Sequence, residues 1–303
     1  EVVGLFSRAP AVSVEVAPAV VRPRQVVRAT VCTGQPVDRV TVATLEWGYT
    51  NFYRYHWAGR ADSAMAEASE GMWLWGEVGT NAGGDRDTDE WVSVTKVDLP
   101  VHDGEFAGGA SDFRIPSWAP GSSPELVRWS CRVTVERGGR DVDTHSEFTV
   151  RIGRGDVAVD AEPTEVIMGD AETGMAIDLV SPVVVAGDAI RGQVRLTPTR
   201  DLPDGDLAVC WRKCRESHPL TRTPTRGGEL DGPIIGLAKH IPLRAGSPVT
   251  LPFEIPLSAD APPTASAVHS SMKWFVQARL FYSGLTAPMT ERVVRPIVVV
   301  NVP

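Results

Sequence analysis

The chain has 303 residues, 43% of them hydrophobic and 22% charged, with a formal net charge of -8 at pH 7. That balance belongs to a soluble globular protein of two ordinary domains, each able to bury its own core. The acidic excess argues against nucleic acid or an anionic membrane as the main partner, since both demand a basic face.

In chain order, alternating apolar and polar residues bounded by Gly, Pro and Asp predict strands over Val12 to Val16, Val26 to Val31 and Val40 to Tyr49. Further strands are predicted over Trp91 to Leu99, Val127 to Val135 and Phe148 to Ile152. The Ala- and Glu-rich stretch Asp62 to Glu70, with Gly71 as a stop, is a helix candidate that competes with a polar loop. The second half predicts strands over Met175 to Val180, Ile190 to Leu196, Leu207 to Trp211 and Pro233 to Pro242. Three more follow at Val249 to Ile255, Met272 to Tyr282 and Val293 to Val300. No apolar run approaches the roughly eighteen residues that cross a bilayer, so no transmembrane segment is expected. No basic stretch leads into an apolar one, and a cytoplasmic address is expected. Four lysines (Lys96, Lys213, Lys239, Lys273) against twenty-six arginines fit a GC-rich bacterial source.

The two halves repeat one pattern. Val12 to Val16 and Val27 to Val31 match Met175 to Leu179 and Ile190 to Val194. Asp112-Phe113-Arg114-Ile115-Pro116 with Trp129 matches Pro252-Phe253-Glu254-Ile255-Pro256 with Trp274. Trp47 finds a counterpart in Trp211 if one residue of slip is allowed. A two-fold duplication implies two similar units and says nothing of chemistry. The expected division is 1–153, an acidic linker at 154–173, and 174–303. The stretch between carries Asp156, Asp160, Glu162, Glu165, Asp170 and Glu172 against Arg154 alone. Its Val157, Val159, Val166 and Ile167 also allow part of it to form a strand.

The turn and strand "VVVAGDAIRGQVRLTP" and the later "FEIPLSADAPPTASAVHSSMKWFVQARL" resemble the arrestin-like superfamily. The first half carries the same signals in "VVRPRQVVRATV", with Arg24-Gln25 in place of the Gly turn, and in "FRIPSWAPGSSPELVRWSCRVTV". The resemblance implies an all-β fold of two tandem immunoglobulin-like, arrestin-type β-sandwiches, and a protein-binding scaffold that is not an enzyme. Phosphate sensing by lysines does not carry over, because the first half offers only Lys96.

Other chemistry is weakly signalled. Cys32 and Cys131 are read as buried reduced thiols rather than a disulfide. Cys210, Cys214 and His218 lie too far apart on one strand to chelate an ion without a bend. Asp85, Asp87 and Asp89 imitate a calcium loop but lack its Gly and its terminal carboxylate, so they read as an acidic hairpin tip. Neither cofactor nor metal is expected.

The candidate site is the asymmetry between the halves. Val31 and Phe113 stand 82 positions apart, whereas Val194 and Phe253 stand 59 apart, and the excess falls around Thr50 to Glu90. Trp47 and Tyr49 belong on the buried face of a period-two strand. Tyr53, Tyr55, Trp57, Trp73 and Trp75 extend beyond it and form either a small satellite core or an exposed patch; as a patch they are the expected contact residues for a protein partner. A carbohydrate-binding sandwich using Trp57, Trp73 and Trp75 is the alternative.

Overall fold

The computed structural model describes residues 11–57, 84–157, 165–169, 172–218, 226–282 and 290–303. The helix candidate at 62–70 lies outside the described residues. The fold is all-β, and a single 3-10 turn at Arg154–Asp156 is the only helical element among the described residues. The chain divides into two compact units. One holds Glu1–Phe52 with Asp89–Ile152. The other holds Tyr53–Thr88 with Gly153–Pro303, so both the acidic stretch 154–173 and the insertion count with the second.

The first half supplies β1 (Val12–Ala17), β2 (Val20–Val21), β3 (Val26–Thr33), β4 (Val37–Asp38) and β5 (Val40–Trp57). It continues with β6 (Gly84–Asp98), β7 (Glu105–Phe106), β8 (Gly109–Arg114), β9 (Val127–Arg137) and β10 (Val142–Val150). A three-stranded sheet runs β1-β3-β8, a five-stranded one β2-β10-β9-β5-β6, and β4 pairs with β7. β3 shows why: Val27, Ala29 and Val31 point inward while Val26, Arg28 and Thr30 face water. Trp47 of β5 stacks on Phe113 of β8 at 5.2 Å and meets the Phe148 edge at 5.9 Å, which joins the two sheets through one aromatic core. Trp129 lies 4.9 Å from Tyr49 in the same core.

The second half supplies β11 (Val166–Met168), β12 (Thr173–Leu179), β13 (Val183–Val185), β14 (Ala189–Pro198), β15 (Gly205–Ser217) and β16 (Arg226–Asp231). After these come β17 (Ile235–Ile241), β18 (Val249–Pro256), β19 (Ala265–Ser266), β20 (Ser270–Tyr282) and β21 (Thr290–Val300). Its small sheet is β12-β14-β18. Its large sheet runs β11-β21-β20-β15-β16, with β13 also on β21, β17 on β15 and β19 on β20.

The strand orders of the two halves correspond. β1-β3-β8 answers β12-β14-β18, and β2-β10-β9-β5 answers β13-β21-β20-β15, with β2 and β13 both parallel to their neighbours. Trp47 sits opposite Cys131, and Trp211 sits opposite Val276, each two residues beyond the matched Trp129 and Trp274. The two tryptophans are therefore equivalent in the sheets.

The turn before the second strand is repeated too. Gln25 donates to the Arg22 carbonyl at 3.1 Å, and Asp188 donates to the Val185 carbonyl at 3.0 Å. Arg24 has φ 70° where the other half has Gly187 at φ 92°. A Cβ on Gly187 would meet only ordinary contacts, at 3.5 Å from Ala259. Gly187→Ala is therefore expected to cost about 1 kcal/mol through its backbone alone, seen as a shifted urea midpoint.

Cys32 is exposed, Cys131 is buried, and both are free thiols. Burial pushes the Cys131 thiol up to about 12. The native thiol thus stays protonated while the unfolded one ionises near 9. Its contribution to stability is complete below that value and is lost as pH rises toward about 12, at about 1.4 kcal/mol per pH unit. Cys131→Val should show a shallower loss of stability between pH 9 and 10 than the parent chain.

Candidate functional site

Two places are candidates, the end of the β5–β6 hairpin and the outer edge of the large sheet. At the first, Tyr53 is 2% exposed and its ring lies 4.9 Å from the His269 ring. The Arg54 backbone N–H donates to Ser217 Oγ at 3.0 Å. The Arg54 guanidinium grips Asp87 through Nε at 3.1 Å and Nη2 at 3.0 Å, and Arg215 stands 3.9 Å from the same carboxylate. The Arg54 hydrogen bond holds the Asp87 carboxyl below its usual range, with the Arg54 and Arg215 charges acting the same way. Asp87 is exposed, as expected of a solvated acidic tip, and is in addition paired with two arginines. Tyr53 packs inside the second unit, and Tyr55 is half-buried. Trp57 closes β5, but its side chain, like Trp73 and Trp75, lies outside the described residues.

The second place was legible only as an allowed strand in an acidic stretch. Among the described residues, β11 is the edge of the large sheet and is bonded only to β21, with Val166 opposite Val294, Ile167 opposite Val293 and Met168 opposite Arg292. All three side chains are exposed, at 52%, 49% and 39%. An edge strand ordinarily protects itself with charge or proline, and this one carries neither.

Carboxylates fix the segment at both ends. Before β11, Glu165 Oε1 accepts the Ile177 N–H at 3.0 Å and Arg295 Nη1 at 3.1 Å. After it, buried Glu291 accepts the backbone N–H groups of Glu172 at 2.7 Å and Thr173 at 3.0 Å. Arg200 holds the Glu172 carboxylate through Nε at 2.9 Å and Nη2 at 2.8 Å. Thr173 Oγ1 and the Tyr282 hydroxyl share a hydrogen bond of 2.7 Å, and burial pushes the Tyr282 phenol up to about 12. Gly169, at φ 113°, ends β11 where a Cβ would press within 3.0 Å of the Thr290 carbonyl oxygen. The result is a short open edge held in one place.

Beside that edge lies a cavity of about 460 Å³ lined by Met168, Gly169, Arg279, Phe281, Thr290 and Arg292. Phe281 is 41% exposed. Arg279 Nη2 donates to Asp231 at 3.0 Å, but Asp231 is gripped chiefly by Arg212, at 2.7 and 3.0 Å. Arg292 makes no ion pair among the described residues. The described lining of the cavity combines the apolar Met168 and Phe281 with the guanidinium groups of Arg279 and Arg292.

Among the described residues, no three His, Cys, Asp or Glu side chains are grouped to hold a metal ion. Cys210 and Cys214 are free, with both thiols raised chiefly by burial. No helix among the described residues is long and apolar enough to cross a membrane. Compared with known protein families and with curated proteins, the chain matches none.

Proposed function

We propose that this chain is a non-enzymatic protein-interaction scaffold of two tandem immunoglobulin-like sandwiches of the arrestin type, acting in a bacterial cytoplasm. The observation that carries the reading is the β11 edge. Three exposed apolar residues on a strand pinned at both ends form a ready template for a partner's backbone. Holding the strand in place beforehand lowers the ordering cost of binding. The matched strand orders support a duplicated scaffold, and the lowered carboxylates Asp87, Asp231 and Glu254 are explained by arginine pairing and Asp260 by its Ser258 hydrogen bond, rather than by a convergent reactive cluster. In the same reading, Tyr55, Trp57, Trp73 and Trp75 are a second contact region, while Tyr53 is a packing residue.

The test is affinity capture by the intact chain from its native cell, followed by reconstitution with the purified captured protein. A saturable complex of fixed stoichiometry is expected. Retention of a polysaccharide, or turnover of a small molecule, would replace this reading with another.

A further inference from the structure

We infer that the β11 edge receives an extended acidic segment of a protein partner, added as one more strand with a carboxylate entering the cavity at Arg292. The inference rests on the scaffold reading and names the chemistry of its ligand.

Three observations converge on it. The first is the open edge itself, where Val166 and Met168 share one face and Ile167 takes the other. An incoming strand would set apolar side chains beside these while its backbone completes the ladder. The second is position. Met168 belongs both to the edge and to the cavity lining, so a strand running along β11 passes directly by the cavity.

The third is charge. Arg212, Arg279 and Arg292 stand on this part of the sheet with Asp231 and Glu229, and both carboxylates are bound by Arg212. The Glu291 carboxylate is turned to the interior, on the backbone of Glu172 and Thr173. One cationic charge is therefore left over at the rim of a protein whose net charge is -8. A guanidinium flanked by Phe281 and Met168 suits a carboxylate on an otherwise apolar strand, because Arg binds carboxylates in a planar, two-pronged way.

The experiment titrates the intact chain into three fluorescein-labelled seven-residue peptides with blocked ends. One alternates Val with Glu, one Val with Gln, and one Val with Lys. The Glu peptide should bind saturably and more weakly as salt rises. Arg292→Glu should weaken it at least about tenfold, the size of a lost charge-assisted contact, and should let the Lys peptide bind better than it binds the parent chain. That exchange of preference cannot come from an unfolded variant. Met168→Asn, which removes apolar surface without adding charge, should weaken the Glu peptide without favouring the Lys one. Equal binding of all three peptides, or a Glu peptide indifferent to Arg292→Glu, overturns the inference. If the chain captures a protein partner yet ignores the Glu peptide, the inference falls and the scaffold stands. If no partner is captured at all, the scaffold reading falls first.

Discussion

Replacing Trp129 by Ala is expected to lower the unfolding free energy by about 3–5 kcal/mol, the range for removing a buried aromatic side chain. Trp129 is fully buried on β9 between Tyr49, Phe113 and Phe148. Its Nε1 donates to the Pro120 carbonyl at 2.9 Å. Trp274 repeats the arrangement in the other half, donating to the Pro262 carbonyl at 3.0 Å, and the same substitution there should cost a similar amount. Trp129→Phe keeps most of the ring but strands the Pro120 carbonyl, so about 1–2 kcal/mol is expected. Trp47→Phe should cost less, because Trp47 Nε1 has no hydrogen-bond partner among the described residues. Urea unfolding of the variants checks the ranking. Neutral substitutions at both Trp129 and Trp274 would remove the physical basis for treating the halves as copies.

Glu291→Ala should cost about 3 kcal/mol, because it leaves the backbone N–H groups of Glu172 and Thr173 without their acceptor in a buried place. Glu291→Gln should cost less, since its amide oxygen can still accept from one of them. Beyond the loss of stability, the Ala variant should release β11, because Glu291 fixes the chain just after it. Amide hydrogen exchange over Val166–Met168 should then quicken while the β20 core stays protected. A variant that exchanges like the parent would show that Glu165 and Arg295 hold the edge without Glu291.

Much of the fold was legible because the pattern of this chain is strongly periodic. Strands such as β3 and β18 keep one face apolar, and period two identifies them without help from neighbours. The equivalence of Trp47 and Trp211 was legible only to within a residue, and the pairings with Cys131 and Val276 are what fix it. β11 was harder to see. Three apolar residues in an acidic stretch resemble a linker until Glu165 and Glu291 are placed, and those carboxylates act from positions far apart in sequence. The cavity arginines were hidden for the same reason, because Arg279 and Arg292 become neighbours only through the pairing of β20 with β21. Tyr53 was undecided for a related reason. Its place in an aromatic run allowed a satellite core or an open surface, and only His269, more than two hundred residues on, packs against its ring and buries it.

A protein partner is expected to dock on the open edge of the large sheet. The most direct measurement is amide hydrogen exchange of the intact chain, free and bound to its captured protein partner. Slower exchange centred on Val166–Met168, diminished by Arg292→Glu, is the predicted result. Unchanged exchange there, with new protection confined to Tyr55–Trp75, would contradict it and move the docking surface to the aromatic insertion.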